Sequence, residues 1–435
     1  MVFNKKSFSG GIFFRPDIGH TDSLPIELFP APPAVTIPLI QNTGAPAQPT
    51  VKVGDHVAMG QIIGEADTAP VHASVSGVVT DISRYPYARH PMGHPMSFSV
   101  TIENNGNDEF ASPISYDKPW AESEPEELLR KIRLSGSIDR NGSVHARLIA
   151  ARGGTITTLI INTLTTEPYC SADTRLCIEQ AEKVFAGAAI CAKIIGAVQC
   201  RIVVSEKRPQ ITEAMAPLLV DERFKNFELV KIQKAKYPLH EERLIVRPFG
   251  GACVNTAVVS AAAAAAVRDA IVELMPSCQR IVTVAGPAIA SPRNLLVRIG
   301  TPVRALLDAC AADYAKTKRV VSGGPLSGTA VQDFETPVTK TMDALLAFDT
   351  VFPGEQRHEC IGCRRCLAVC PMRLVPSRCA RDVQSGNTED LFEQRAGECI
   401  ECGCCAYVCP SKINLVHYMA FGKQLLATEQ RKGAL

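Results

Sequence analysis

A chain of 435 residues exceeds what one ordinary domain buries, so several compact units in series are expected. Lys+Arg 46 against Asp+Glu 44 leaves a formal net charge of +2, which excludes global attraction to nucleic acid or to an acidic membrane surface. The 17 cysteines, an odd number, fall partly in short regular spacings and partly in apolar stretches, which points to a reducing compartment.

The N-terminal MVFNKKSFSGGIFF lacks an apolar core of signal-peptide length, so no export is expected. From Thr50 to Val79, short β-prone runs are separated by Gly54-Asp55, Gly60 and Gly77, the spacing of a small barrel of hairpins. It looks like the swinging-arm domains that carry biotin or lipoate. The tip near Ala69-Pro70-Val71-His72 has no Lys to modify, so a contact role replaces a carrier role.

Glu126–Leu134 reads as a helix and Thr157–Asn162 as a buried strand. Helical and strand patterns then alternate through Asp173–Ala188, Val198–Val204, Ile211–Leu219 and Phe227–Gln233, which predicts an α/β layer with a mainly parallel sheet. The Ala-rich stretch Ala257–Leu274 is expected to be a packed helix closing this unit. Its apolar run is far short of the ~18–20 residues a bilayer span needs, so the chain is soluble or peripheral.

Ile281–Val284, Asn294–Ile299, a helix at Val303–Ala311 and VVSGGPLSG from Val320 resemble a β-grasp module. Gly323-Gly324 before Pro325 makes a tight turn or a close backbone approach.

Cys360, Cys363, Cys366 and Cys370 stand in C-x2-C-x2-C-x3-C-P spacing, and Cys399, Cys402, Cys405 and Cys409 repeat it. Three thiolates on one loop can take three corners of an iron–sulfur cube, and in two-cluster ferredoxins the fourth Cys of each run ligates the other cluster. By that rule Cys360, Cys363, Cys366 and Cys409 hold one [4Fe-4S] cluster, and Cys399, Cys402, Cys405 and Cys370 the second. Paired zinc sites are the alternative, but a zinc ribbon needs neither a third Cys at x2 nor the Pro. Cys379 and Cys404 are surplus packed thiols.

Val375–Gln384 and Thr388–Arg395 between the runs have helical spacing, and Leu415, Tyr418, Met419, Leu425 and Leu426 form one face of a terminal helix. That helix is expected to pack on the cluster module, with docking to another protein of an assembly as the alternative. Arg357, Arg364, Arg365, Arg373, Arg378 and Arg381 against the single acid Glu359 make a basic patch, which compensates cluster charge or docks an acidic electron carrier at Arg364 and Arg365.

GGIFFRP, IPLIQNTGAPAQPTVKVGD, PVHASVSGVV, TLIINTLTTEPYCSADTRL, NLLVRIGTPVRALLDAC, VVSGGPLSG, PVTKT and the twin Cys runs, in order along nearly the whole chain, resemble the RnfC family, the C components of Rnf-type ferredoxin:NAD oxidoreductase complexes. The resemblance implies four units: an N-terminal barrel-sandwich at 1–115, a complex I flavoprotein-like α/β domain at 120–275, a β-grasp at 276–345 and a helical ferredoxin at 346–435. It also implies a peripheral place on the cytoplasmic face of a membrane complex, FMN and NADH on the α/β domain, and electron relay to a ferredoxin-like B subunit.

At the nucleotide site this chain departs from the family pattern. The Gly-rich loop is replaced by Gly136 to Leu148 with most glycines lost and Asp139 facing an anionic phosphate. The acid-bearing strand end keeps Asn162 and Glu167 but has Thr165 for the first acid, and a third landmark survives only as Tyr237-Pro238-Leu239-His240. Asn162, Glu167 and Tyr237 are thus remnants, and FMN and NADH binding is expected to be weakened or lost. Arg140 and Arg147 are expected as solvated surface residues. A working NADH-oxidising flavoprotein and a soluble adaptor feeding a dedicated reductase are the other readings.

Overall fold

The computed structural model describes residues 2–3, 8–14, 21–41, 46–67, 69–86, 96–249, 255–351 and 358–432, so Arg357 lies outside the described residues. The N-terminal unit is a sandwich of two antiparallel sheets. One orders Ala34–Pro38, Met96–Asn104, Gly77–Pro86 and His56–Val57; the other orders Gln48–Pro49, Ile62–Glu65 and Val71–His72. Val35 and Ile37 on one strand and Val100 and Ile102 on its neighbour point inward by the period of two.

That interior does not close on itself. Val35, Ile63 and Val100 belong to the same packed group as Val282, Leu295, Val303 and Leu345 of the β-grasp unit, whose six-stranded sheet carries helix Val303–Ala309. Burial of each such side chain contributes roughly 1.5–3 kcal/mol, so the two units stabilise each other. The first residues also leave the sandwich: Val2–Phe3 extends the parallel sheet, and Ile26–Leu28 pairs with Arg293–Arg298 at the β-grasp edge. Runs of two and three residues carry no alternation from which this could be read.

The α/β unit has a five-stranded all-parallel sheet ordered Val2–Phe3, Phe227–Ile232, Gln199–Ser205, Thr158–Asn162, Thr256–Ser260. Leu159 and Ile161 face helices Pro125–Leu134, Ala181–Ile195 and Ala261–Val272, while Ile160 joins Val203, Val230 and Leu244 on the other face. A strand covered on both faces is apolar throughout, which is why TLIIN has no alternation. Helix Ala181–Ile195 lies so close to helix Ala261–Val272 that a Cβ at Gly187 would fall 1.8 Å from the Ala264 carbonyl oxygen.

Two expectations are corrected. Ala257–Leu274 is not one helix: Thr256–Ser260 is the edge strand of the sheet, and the helix starts at Ala261, where the Ser260 hydroxyl accepts from the Ala263 N–H at 3.1 Å. Arg140 and Arg147 are not solvated surface residues; both are ion-paired inside the fold.

The C-terminal module contains helices Arg365–Val369, Pro376–Ser385, Thr388–Glu393, Cys404–Tyr407 and Leu415–Lys432. The last buries Met419 and Leu426 against Val383 and Leu391, and Leu415 against Ala380 and Cys366, so it packs on the module itself. Gly10 and Gly11, both at positive φ, wedge between the modules: a Cβ on Gly10 would meet the Cys370 carbonyl at 2.8 Å, and one on Gly11 the Tyr237 carbonyl at 2.5 Å. Among the described residues no helix is long and apolar enough to cross a membrane.

Candidate functional site: two thiol groups beside an open cavity

Cys370 of the first run lines one small apolar cavity together with Cys399, Cys402, Cys404 and Cys405 of the second. Met372, Leu374 and Met419 are among its apolar lining. The Leu374 N–H donates to the Cys370 sulfur at 3.3 Å and the Glu401 N–H to the Cys399 sulfur at 3.4 Å. Burial raises both thiols, Cys399 to about 12, so without a cation they keep their protons.

Cys366 of the first run packs with Cys405 and Cys409 of the second, beside Ala380 and Leu415. Cys360 and Cys363 are exposed, as are Arg364 and Arg365 next to them. Cysteines of each run thus lie beside cysteines of the other. Among the described residues no three His, Cys, Asp or Glu side chains gather as the ligands of a single ion; the thiols of the inner group ring a space. Cys404 is buried against Tyr237 and Cys402, and Cys379 reaches Gln394 Oε1 at 3.6 Å.

The remnant residues are only partly brought together. Glu167 and Tyr237 line a cavity of about 550 Å³ at the carboxyl ends of the parallel strands; Asn162 does not. This is where open α/β sheets bind ligands. Its other walls come from Thr165–Cys170, Ser205–Gln210 and Ala235–Tyr237, each following a strand, and from Phe14 and Thr21–Ser23. Arg175, Lys207, Arg208 and Lys236 outnumber the acids Asp22 and Glu167 in its lining, with Arg208 paired to Asp22 and Arg175 to Glu179. No local motif marks these residues; the strand ends were the available signal.

Each remnant side chain is committed within the fold. Glu167 accepts from the Leu326 and Ser327 N–H groups at 2.8 and 2.9 Å and from the Ser327 hydroxyl at 2.8 Å, against Gly324, where a Cβ would lie 2.0 Å from its carboxyl carbon. The Gly323-Gly324 turn thus serves a close approach to Glu167. Asn162 donates to the His240 carbonyl at 2.7 Å, and the Tyr237 hydroxyl donates to the Cys402 carbonyl at 2.7 Å. Tyr237 is therefore the wall between the open cavity and the inner thiols.

The loop following helix Pro125–Leu134 is closed by its own charges. Asp139, 2% exposed, accepts from the Ser260 hydroxyl at 2.7 Å, Arg147 Nη1 at 3.1 Å and the Asn141 N–H at 2.8 Å. Arg147 also pairs with Glu242 and donates to the Val258 carbonyl. Arg140 pairs with Asp343, which holds the guanidinium well above its ordinary range.

Compared with known proteins, residues 6–107 match the RnfC barrel sandwich hybrid domain, residues 129–272 the Nuo51 FMN-binding domain and residues 359–413 the 4Fe-4S dicluster domain. The chain is 34% identical over 393 residues to the C component of the proton-translocating ferredoxin:NAD(+) oxidoreductase complex of Clostridium ljungdahlii, covering 86% of this chain and 83% of that one. It is 31% identical to the C component of the ion-translocating oxidoreductase complex of Rhodobacter capsulatus, over 88% of this chain and 76% of the relative. Against the Pseudomonas aeruginosa protein of the same name it is 32% identical, over 86% of this chain and 49% of that longer one. With its barrel sandwich, flavoprotein-like sheet and dicluster module in the same order, the chain belongs to the RnfC family of oxidoreductase-complex proteins.

Proposed function

We propose that this chain is the peripheral electron-relay subunit of a membrane-bound ion-translocating redox complex, with two [4Fe-4S] clusters held by the crossed ligand sets. Cys360, Cys363, Cys366 and Cys409 take one cluster, and Cys399, Cys402, Cys405 and Cys370 the other. The observation that carries this is Cys370 in the wall of a cavity built by the thiols of the other run. Bound clusters supply reversible one-electron storage. The protein supplies the thiols, N–H donors to sulfur, an apolar wall at the inner set and an outer set exposed at Cys360 and Cys363.

The exposed side of the outer set, Cys360 and Cys363 flanked by Arg364 and Arg365, is where electrons meet a partner protein. A ferredoxin-like B subunit on the cytoplasmic side, or another acidic carrier, fits that charge. Arg364→Glu with Arg365→Glu is expected to slow electron exchange with such a carrier roughly tenfold at low salt and to flatten its salt dependence. Stopped-flow rates that match the wild type at every ionic strength would dispose of the docking face.

The residues do not fit an FMN phosphate at the loop of 136–143. At the start of helix Ala261–Val272, where backbone N–H groups and Arg147 would favour an anion, the Asp139 carboxylate already accepts from the Ser260 hydroxyl, Arg147 and the Asn141 N–H. A phosphate there would meet a buried carboxylate. Electrons enter from a protein donor instead of NADH. The second reading, an NADH-oxidising flavoprotein, is favoured by the open cationic cavity at the strand ends. Anaerobic purification separates the two: the expected product is brown, releases no flavin and keeps its cluster absorbance when NADH is added. Flavin near one per chain with bleaching by NADH would establish the second reading.

A further inference from the structure

We propose that Tyr237 and Lys423 are positioning residues that set the reduction potential of the inner cluster, and of that cluster alone. The proposal rests on the ligand assignment above. Both side chains donate to peptide carbonyls of cysteines in the inner set: the Tyr237 hydroxyl to Cys402 O at 2.7 Å, and Lys423 Nζ to Cys399 O at 3.0 Å. They come from different elements, Tyr237 from the loop after strand Phe227–Ile232 and Lys423 from the terminal helix Leu415–Lys432.

Tyr237 is fixed for this task. Its backbone N–H and carbonyl both pair with Ile12 at 2.9 Å, its ring stands edge-on to Phe14 at 5.9 Å, and it is 1% exposed. Its hydroxyl is buried with the ring and aimed at the Cys402 carbonyl, to which it donates. Lys423 also pairs with Glu401, whose own N–H donates to the Cys399 sulfur.

The physical effect has one sign. Adding an electron makes a cluster more negative, and the partial negative charge of nearby carbonyl oxygens opposes it. A donor aimed at such a carbonyl withdraws that charge, and a cation adds a direct attraction, so each raises the potential. The exposed outer set, Cys360 and Cys363 above all, lies outside the group that Tyr237 packs with.

The test is a potentiometric titration of anaerobically purified holoprotein followed by electron paramagnetic resonance. Tyr237→Phe keeps the ring and removes only the donor; Lys423→Gln removes the charge and Lys423→Arg restores it. In Tyr237→Phe and in Lys423→Gln one of the two waves is expected to move negative while the other stays, and Lys423→Arg returns it. A tenfold change in a one-electron equilibrium corresponds to about 59 mV, the scale expected. Both waves staying in place with full iron content, or both moving together, overturns this inference alone. A protein that binds no cluster overturns the relay function and this with it.

Discussion

Cys370→Ala will lose the cluster of the distant run at Cys399, Cys402 and Cys405, and keep the cluster of its own. Sequence proximity argues the opposite, since Cys370 is four residues from Cys366 and 29 from Cys399 by the chain numbering. The fold decides against proximity: Cys370 lines the inner cavity with the later cysteines, while Cys366 packs with Cys405 and Cys409. With one of four thiolates gone, iron is expected to fall from about eight to about four per chain. The identity of the survivor is the sharper readout. The magnetic resonance spectrum and midpoint of Cys370→Ala should coincide with those of Cys402→Ala and differ from those of Cys366→Ala. If Cys370→Ala instead reproduces Cys366→Ala, each run keeps its own fourth ligand and the crossed assignment is wrong.

The crossed assignment could be proposed from the sequence because cubane ligation constrains spacing, and spacing survives in a bare sequence. The same holds for Thr158–Asn162, whose unbroken apolar run signals burial on two faces, and for Leu415, Met419 and Leu426, whose period fits one helix face. Where the sequence misled, a partner distant in the chain made the decision. Val258 and Val259 prefer a strand, but the following alanines mask that preference, and pairing with Thr158–Asn162 is what decides it. Arg147 reads as solvated because its two acids, Asp139 and Glu242, lie at very different chain distances from it. Glu167 stands in a stretch that suggests a ligand contact, yet its oxygens are taken by a turn some 160 residues later. The cationic cavity could have been sought at the strand ends once the sheet was known to be parallel, since no single one of those loops marks it.

The stability of the wild type relative to Lys340→Met should climb by about 3 kcal/mol as pH rises from about 8 to about 10.5, against the opposite trend that the buried thiols with raised pKa values impose on both proteins. Lys340 is 2% exposed, and its Nζ donates to the carbonyls of Pro70 at 3.2 Å and Gly136 at 2.7 Å. Burial lowers its ammonium to about 8, with the nearby Cys278 acting weakly the other way. Below that pH both folded and unfolded chains carry the proton and the full penalty of burying the charge is present. Between the folded value and the ordinary one near 10.5 the unfolded chain binds the extra proton, so raising pH favours folding. Beside it His72 donates from Nε2 to the Leu134 carbonyl at 2.9 Å, and among the described residues its Nδ1 has no partner. Burial first, and the Lys340 charge second, hold His72 well below its usual value. It stays neutral in the fold, and stability is therefore lost as pH falls below about 6.5. The two groups share one junction, where the hairpin tip at Pro70–His72 and the Lys340 segment meet Gly136, whose φ of +62° and closeness to the Pro70 carbonyl leave no room for a Cβ. Paired denaturation of wild type and Lys340→Met across this range reads the effect as a difference, which cancels the other titrating groups. The variant leaves two carbonyls without their donor, at about 1–3 kcal/mol each, so near neutral pH this loss and the relief of the buried charge nearly offset. A difference that stays constant from about pH 8 to about pH 10.5 would mean that Lys340 keeps its proton throughout, and that the tip which lacks a modifiable Lys is not held by a borrowed one.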